Sequence, residues 1–376
     1  MKINTDKVIV SGLISAIFFL CICGTITVAR GASPISESGS SSPIVGAIRW
    51  DAWFDGNKYE KNLEPKQWHY RLPFYADVSL KGSVTVRSDS QEVMDKEIAY
   101  AKDAGLDYWA FVYYQRKPGD PYDRYNYGLR RYLDSTKKSG LNFCLILQGG
   151  ILGKKEDWQQ TVQQLVSIFK EPTYQKVLNG RPLVYMFSAH ELTKWAGSEE
   201  AAKAALGELD QAAARVGLPE TYIVAQGFSI GETGSLANRF GFDAIGAYSL
   251  TEKGDDIEYP YLKLAKANRD YWEACRSSAK QVIPIVNAGW DNRPRRTTPE
   301  EANKLKGPWY TQPTPGELAI HLFTAMEWIR KYPESTESKT ILIYAWNESD
   351  EGGWLVPTLA EGNSRLLAVK AAVEME

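Results

Sequence analysis

The chain alternates short β-branched or aromatic runs with longer runs of helical period, and this alternation restricts the fold more than any other feature. The strand-like runs number eight and cover residues 44–50, 108–114, 142–148, 183–187, 222–226, 244–248, 281–287 and 340–346. Strands and helices in this order predict an α/β protein built as a (β/α)8 barrel. A doubly wound open sheet is the alternative, but no Gly-rich phosphate loop follows the first run.

Local signals bound several of the intervening helices. Ser88 followed by Gln91 predicts a capping box, and Gly105 predicts a left-handed end for the same helix. The run over 229–240 is the least regular helix. The stretch 51–87 is too long for an ordinary connection and rich in aromatic residues. We expect this loop to lie on the catalytic face and to wall one side of a cleft.

The first thirty residues form a separate segment. Lys2 and Lys7 precede an apolar run over 8–28, and small residues follow at a plausible cleavage position. We expect residues 1–31 to be a signal peptide or, because the run is long, an uncleaved N-terminal membrane anchor. Residues 32–43 predict a Ser-rich linker. Residues 44–376 then form one catalytic domain, exported to the periplasm, the cell surface or the medium.

Composition narrows the class of partner. The 44 basic and 46 acidic residues nearly balance, which disfavours nucleic acid or an anionic membrane as the main partner. The 12 Trp and 21 Tyr residues suit sugar rings, although any large barrel contains many aromatic residues. Cys144 and Cys275 are predicted to be buried thiols, not a disulfide or a metal pair. We expect a monomer that binds a polysaccharide or an oligosaccharide.

The C-terminal ends of barrel strands converge on one site. The residues there are acidic, aromatic and amide-bearing, without a cluster of His or Cys, so we expect a carbohydrate cleft with no metal ion and no organic cofactor. The candidate substrate-binding residues are Trp50, Asp51, Trp53, Tyr113, Tyr114, Gln148, Tyr248, Trp290, Asp291, Trp346 and Asn347. Two of these predictions carry alternatives. Asp291 pairs instead with Arg293, Arg295 or Arg296, and one of Tyr113 and Tyr114 points into the core, because neighbouring strand residues face opposite sides.

Glycosidic cleavage needs one carboxyl group to protonate the leaving oxygen and a second to act as nucleophile or base. Glu348 and Glu351 are three residues apart where the chain leaves the last strand, and we predict that they are this pair. A solvated acidic turn that includes Asp350 is the alternative. Glu191 or Glu232 is a second possible partner for Glu348, because barrel glycosidases often draw their acids from different strands.

Residues 345–352, with the sequence AWNESDEG, and the following WLVP resemble the N-E-W-x-E-G…E-P signature of glycoside hydrolase family 99 and its WbsX-like relatives. Residues 289–296, GWDNRPRR, resemble the G-W-D-N-x-P-R-R stretch of the WbsX-like branch. Weaker similarity covers 101–114 and 180–183. Two departures stand out: Ser349 replaces the motif Trp, and Val356 replaces an acid.

The resemblance implies a (β/α)8 fold and a metal-independent, retaining enzyme. The characterised members of the family are endo-acting and cleave within α-mannose-containing glycans, so the resemblance also implies an enzyme of this α-mannan type. It implies that Glu348 is the base that assists the sugar 2-hydroxyl in forming a 1,2-anhydro intermediate, and that Glu351 is the general acid and then the base. The departures leave a different α- or β-glycan open. Two alternative functions stay open, because a fold does not determine a function. On the same barrel, the chain is either a non-catalytic glycan-binding protein or an accessory protein of polysaccharide assembly.

The triplet Asn347-Glu348-Ser349 is an N-glycosylation sequon. A glycan there would cover the predicted site. Either the protein never meets the glycosylation machinery, as in a bacterial export route, or Asn347 is too enclosed to be modified. From the sequence we favour the first explanation.

Overall fold

The computed structural model describes residues 42–115, 120–278 and 280–375. The predicted signal or anchor segment at 1–31, and the linker up to residue 41, lie outside the described residues. Within the described ranges, no helix is long and apolar enough to cross a membrane.

The eight predicted strands are all present and pair in parallel around a barrel. They are β1 (Ile44–Arg49), β2 (Tyr108–Val112), β3 (Asn142–Gln148), β4 (Arg181–Phe187), β5 (Tyr222–Gly227), β6 (Ala244–Ala247), β7 (Gln281–Val282 and Ile285–Asn287) and β8 (Thr340–Tyr344). Each strand from β1 to β6 pairs with the next, and β1 also pairs with β8. The prediction of a (β/α)8 barrel is confirmed.

The seventh strand closes the barrel in two pieces. Its first piece pairs with β6 and its second with β8. Pro284 lies between them, and proline cannot donate a backbone hydrogen bond to a neighbouring strand. The Ile283 amide still donates to Ile245 at 3.0 Å, whereas the Pro284 carbonyl accepts from Leu342 at 3.0 Å. The chain therefore changes its pairing partner at the proline.

Helices cover the outside of the barrel. They are α1 (Gln91–Asp103), α2 (Tyr127–Asp134), α3 (Trp158–Phe169), α4 (Leu192–Ala196), α5 (Glu199–Arg215), α6 (Ile230–Phe240), α7 (Tyr261–Arg276), α8 (Pro299–Lys304), α9 (Pro315–Lys331) and α10 (Ser364–Glu374). The irregular run after residue 229 is thus helical. Gly105 has a φ of 80°, as predicted for the end of α1. The predicted cap was wrong: Ser90 accepts from the Val93 amide at 3.2 Å, while Ser88 is buried against Tyr127.

The barrel interior is tightly filled at its N-terminal end. The Tyr108 hydroxyl lies 2.7 Å from that of Tyr185 and donates to the Ile341 carbonyl at 3.2 Å. A Cβ atom at Gly46 would collide with the Tyr108 ring, so this position in β1 requires glycine. Cys144 and Cys275 are both fully buried free thiols, as predicted.

The long loop after β1 folds into two 3-10 segments, Lys58–Leu63 and Lys66–Arg71, and a hairpin of Ala76–Val78 with Val84–Val86. Trp53 and Trp68 are buried in a small core of their own within this loop. Other rings of the loop pack on neighbouring segments, as Phe54 does on Tyr125 and Tyr70 on Trp354, and no residue of 51–87 lines the cleft, so the loop does not build the expected cleft wall.

A buried ionic triad joins β1, α1 and the end of β8. Arg49 bonds to Asp51 at 2.9 Å and to Glu97 at 2.8 Å, and all three residues are at most 1% exposed. Glu97 also accepts a hydrogen bond of 2.8 Å from the Trp346 indole. This pairing offsets the cost of removing the three charges from water, although the Nη1 of Arg49 has no hydrogen-bond partner among the described residues.

Candidate active site

The turn that leaves β8 is a tight hairpin. Asn347–Glu348 pairs with Gly353–Trp354, and a 3-10 turn over Ser349–Glu351 connects them. Gly352 ends this turn with a φ of 84°, and a Cβ atom there would collide with the backbone of Asp291. Glycine therefore lets the β7 and β8 connections approach each other closely.

A cleft of about 240 Å³ opens at the C-terminal ends of the strands. Its walls are mainly aromatic, and its floor carries both predicted glutamates. The lining residues are Trp50, Val112, Tyr114, Gln148, Phe187, Phe228, Tyr248, Ser249, Trp290, Arg295, Glu348 and Glu351. Such a lining, apolar with a few polar groups at one place, is typical of a ligand site.

One guanidinium group bridges the acids of the turn. Arg295 bonds to Glu348 at 3.1 Å, to Glu351, and to both oxygens of Asp350 at 2.7 and 2.9 Å. Its guanidinium carbon also lies 5.0 Å from the Trp50 ring centroid. Burial alone would lower the pKa of Arg295, but the three carboxylates outweigh burial and raise it. The cation is therefore permanently charged.

Each glutamate also accepts a hydrogen bond from a tyrosine. Tyr248 donates to Glu348 at 2.8 Å, and Tyr344 donates to Glu351. The two carboxyl groups are thus each held by two donors, which fixes their orientation in the cleft.

The two glutamates differ in burial. Glu348 is 2% exposed, whereas the Glu351 side chain is 17% exposed. Burial, reinforced by the charge of Glu351, raises the pKa of Glu348 to about 8, although Arg295 and Tyr248 act in the opposite direction. Glu348 therefore keeps its proton to a higher pH than a solvent-exposed glutamate does.

The sequence from residue 142 to residue 369 matches the family model described as "Glycosyltransferase WbsX", over more than half of the chain. The chain belongs to the WbsX family. No curated protein sequence matches it significantly.

Solved structures show the same architecture as this WbsX-family chain. Two structures of the GH99 endo-alpha-mannosidase from Bacteroides thetaiotaomicron, one in complex with BIS-TRIS-propane, each align with a TM-score of 0.55 and 14% sequence identity. The alignment covers 88% of this chain and 96% of the mannosidase chain. At this level of identity, the similarity establishes the common fold.

Five of the predicted substrate-binding residues of the WbsX-family chain line the cleft: Trp50, Tyr114, Gln148, Tyr248 and Trp290. The Trp50 indole also donates to the Tyr114 hydroxyl at 3.0 Å, which links the ends of β1 and β2. The structure therefore brings residues from the ends of five strands together with the two glutamates that follow β8.

Three other predicted residues are structural. Asp51 belongs to the buried triad with Arg49, and Trp346 is fully buried with its indole on Glu97. Trp53 donates to the Asn347 carbonyl at 2.8 Å from within the loop core. These side chains cannot reach a ligand, and the expectation that they bind sugar is corrected.

Asn347 is also removed from the cleft. Its side chain accepts from the Trp50 amide at 3.0 Å and donates to the Trp50 carbonyl at 2.8 Å, and the residue is 0% exposed. The sequon is therefore enclosed in the folded protein. This agrees with the second explanation, that Asn347 is too enclosed to be modified, and not with the one favoured from the sequence.

Asp291 and Tyr113 complete the corrections. Asp291 is 1% exposed and bonds to Arg71 and Arg293, the arginine pairing weighed as its alternative. Burial would raise the pKa of Asp291, but Arg293 and Arg71 outweigh it and lower the pKa. Tyr113 is not among the cleft-lining residues. Burial, with the charge of Asp123, raises its pKa to about 12.

The alternative acids lie at the rim of the barrel mouth, not in the cleft lining. Glu191 and Glu232 flank His190 at 3.5 and 3.7 Å, and all three side chains are more than a third exposed. Within the described ranges, no group of three or more His, Cys, Asp or Glu residues is arranged to hold a metal ion. His321 is buried and bonded to Tyr261, as expected for a core residue.

Sequence reasoning missed several residues of the site. Arg295 was considered only as a partner of Asp291. In the structure its segment after β7 lies against the turn that carries the glutamates. Phe228 follows β5 by one residue, so extending the predicted strand end would have included it. Tyr344 and Phe187 lie within strands, and only their inward orientation identifies them.

Proposed function

We propose that the chain is a glycoside hydrolase that cleaves an oligosaccharide or a polysaccharide with Glu348 and Glu351. The observation that carries this proposal is a pair of carboxyl groups in one aromatic cleft, bridged by Arg295 and held in different environments. Glycosidic cleavage requires two carboxyl groups at one bond, one to protonate the leaving oxygen and one to act as base or nucleophile.

The reaction that we propose is retaining, as the family resemblance implies. Because one guanidinium group contacts both carboxylates, their separation is limited to its own width plus two hydrogen bonds, on the order of 8 Å in total. This limit includes the about 5–5.5 Å of retaining enzymes and part of the about 6.5–9.5 Å of inverting ones, so the bridge keeps the two groups within working distance of one bond without selecting the stereochemistry. The aromatic walls supply apolar faces for the sugar rings.

We assign the roles in the way that the family resemblance implies. Glu348 removes the proton of the sugar 2-hydroxyl, which attacks the anomeric carbon as Glu351 protonates the leaving oxygen. Glu351 then deprotonates the water that attacks the anomeric carbon, while Glu348 returns its proton to the 2-oxygen as the bond between that oxygen and the anomeric carbon breaks. A carboxylate with a raised pKa is the stronger base for a hydroxyl proton. The intramolecular attack also has a high effective concentration. An α-mannoside, with its axial 2-hydroxyl, is the proposed substrate type.

The pH dependence of kcat/KM tests this assignment. The proposed reaction needs Glu348 ionised and Glu351 protonated, so the active form of the pair carries one proton. We therefore expect a bell-shaped kcat/KM profile that falls as this last proton is lost near pH 8, the pKa of Glu348. Steady-state rates on a neutral substrate from pH 5 to 9 measure the profile. Tyr248→Phe removes a hydrogen bond that favours the ionised form of Glu348, so the falling limb should move to higher pH. A profile that stays flat through pH 8, or a falling limb that Tyr248→Phe leaves in place, would contradict the part given to Glu348.

Glycosyl transfer is a second candidate, because the matching family model is described as a glycosyltransferase. The same two carboxyl groups transfer a glycosyl unit when a sugar hydroxyl replaces water as the acceptor. A nucleotide-sugar donor is disfavoured: among the described residues that line the cleft, Arg295 is the single cation, and it already faces three carboxylates. Two phosphate groups would meet a net negative site.

The decisive experiment incubates the purified full chain with α-mannans and other polysaccharides, and separately with nucleotide sugars and oligosaccharide acceptors. Released sugars support hydrolysis, whereas longer products and free nucleotide support transfer from a nucleotide donor. A protein that binds a glycan and forms no product in any mixture is a binding or assembly protein instead.

We also propose that residues 1–31 direct export or anchor the protein, with 44–376 as one catalytic domain that works as a monomer. The charge and apolar pattern of the N-terminal segment supports export.

A further inference from the structure

Phe228 is a large aromatic side chain that the fold leaves open at the edge of the cleft. It is 58% exposed, and it lines the same cleft as Glu348 and Glu351. Its ring contacts Phe187 edge-on at a centroid distance of 5.7 Å, and Phe187 contacts Tyr248 at 4.9 Å. Tyr248 in turn donates to Glu348. The aromatic wall therefore continues from the catalytic carboxyl group to the rim.

The backbone around Phe228 fixes this exposed position. A Cβ atom at Gly227 would collide with the Thr233 hydroxyl in the first turns of α6, so the end of β5 packs directly on the helix. Thr233 is itself 1% exposed, and helix α6 begins two residues after Phe228, at Ile230. Phe228 is thus held between a strand end and a helix start.

Polar groups lie on the segments that follow the ends of β4 and β5. Glu232 is in the first turn of α6, four residues after Phe228, and His190 connects it to Glu191 in the 3-10 turn that follows β4. These side chains remain more than a third exposed, so their oxygen and nitrogen atoms are accessible. An aromatic face with hydrogen-bonding carboxylates on the adjoining segments fits a sugar ring, whose apolar face stacks while its hydroxyl groups donate.

We propose that Phe228 is the platform for a second sugar ring, one position beyond the ring that Glu348 and Glu351 act on, and that Glu191, His190 and Glu232 bind its hydroxyl groups. The substrate is then a neutral chain of two or more sugars. Uronic or sulfated sugars are disfavoured at this position, because two of its three proposed polar ligands are carboxylates. This inference deepens the proposed function and rests on it for the location of the reacting ring.

The consequence is a dependence of binding on chain length. A platform that contacts only the second ring adds nothing to the binding affinity of a single sugar. It adds a full stacking contact to the binding of a longer chain. Losing one such apolar contact typically changes discrimination by about 10- to 200-fold. We therefore expect Phe228→Ala to weaken tetrasaccharide binding by about 10- to 100-fold more than it weakens methyl glycoside binding.

The test is calorimetric titration of the full chain carrying Glu351→Gln, which keeps the ligand intact. The probes are linear tetrasaccharides of mannose, glucose and galactose, the corresponding methyl glycosides, and an oligouronate. Phe228→Trp keeps a platform and should retain the length dependence. Ile320→Ala truncates a comparably exposed apolar side chain on the outer helix α9 and serves as the matched control. Thermal unfolding of each variant verifies that it is folded.

The outcomes separate this inference from the proposed function. Equal tetrasaccharide affinity in Phe228→Ala and its parent, tighter binding of the oligouronate, or no binding of any tetrasaccharide overturns the platform. A selective loss in Phe228→Ala that Phe228→Trp restores supports it. If the chain with Glu351 intact binds a tetrasaccharide through Phe228 yet releases no product, the hydrolase proposal fails while the platform stands.

Discussion

Glu348→Gln and Glu351→Gln each lower kcat/KM on the natural glycan by about 10²- to 10⁴-fold, the usual contribution of a positioned acid or base. Glutamine keeps the shape of the side chain but can neither release a proton to the leaving oxygen nor take one from a hydroxyl group. Both side chains lie in the cleft and hold hydrogen bonds from Arg295 and a tyrosine, so the substitution changes the chemistry more than the packing.

The two variants should differ on an aryl glycoside with a good leaving group. Such a leaving group needs little protonation, so Glu351→Gln recovers the first step, whereas Glu348→Gln still lacks the base and remains slow. The first step is measured as a pre-steady-state burst of released phenol, with the substrate in excess over the enzyme. Equal defects of both variants on this substrate would contradict the assigned roles.

Glu334→Gln is the matched control, because Glu334 is exposed at the opposite end of the barrel, ahead of β8. Its kcat/KM should equal that of the parent. If Glu351→Gln stays within tenfold of the parent while Glu191→Gln or Glu232→Gln abolishes activity, the acid lies at the rim and the proposed pair is wrong.

Arg49→Met lowers the free energy of unfolding by about 3–5 kcal/mol, the cost of leaving a buried ion without its partner. Asp51 and Glu97 are both buried and both bond to this one guanidinium group. Methionine fills a similar volume but leaves two carboxylates without a counter-charge. Burial already raises the pKa of Asp51 to about 6 despite the charge of Arg49, which indicates how costly its ionised form is at this site.

Urea denaturation of the full chain measures the change. Lys96→Met is the matched control, because it removes the partner of Glu92 in an exposed pair and should leave the transition midpoint nearly unchanged. Adding Asp51→Asn and Glu97→Gln to Arg49→Met removes the unpaired charges and should recover part of the loss. A midpoint for Arg49→Met that matches the control would show that the triad contributes little.

The strands and the catalytic turn are predictable because their signals are local. Alternating β-branched runs define a strand within a few residues, and the glutamates lie in one short motif. The interruption of strand β7 is also visible in the sequence, because Pro284 lies inside the strand-like run and a proline cannot donate a backbone hydrogen bond to a neighbouring strand. The loop between β1 and α1 was recognised as unusual by its length alone.

The direction of each side chain was harder to predict, because it depends on residues far away in the chain. Asp51 follows a strand end, where a side chain is expected to face the cleft. It is instead paired with Arg49, which also binds Glu97 on α1. Asn347 is occupied by the backbone of Trp50, 297 residues earlier. Arg295 acquires its role only when the β7 and β8 connections meet. No local pattern carries these contacts.

The double hydrogen bond between Asn347 and Trp50 has a practical consequence for producing the protein. A cell that attaches glycans to nascent chains would reach the Asn347 sequon before the first and last strands have met. The modified amide could then no longer join the two strand ends, and a bulky glycan has no space in a fully buried position. A bacterial expression host, which leaves that amide free, is therefore the suitable source of active material.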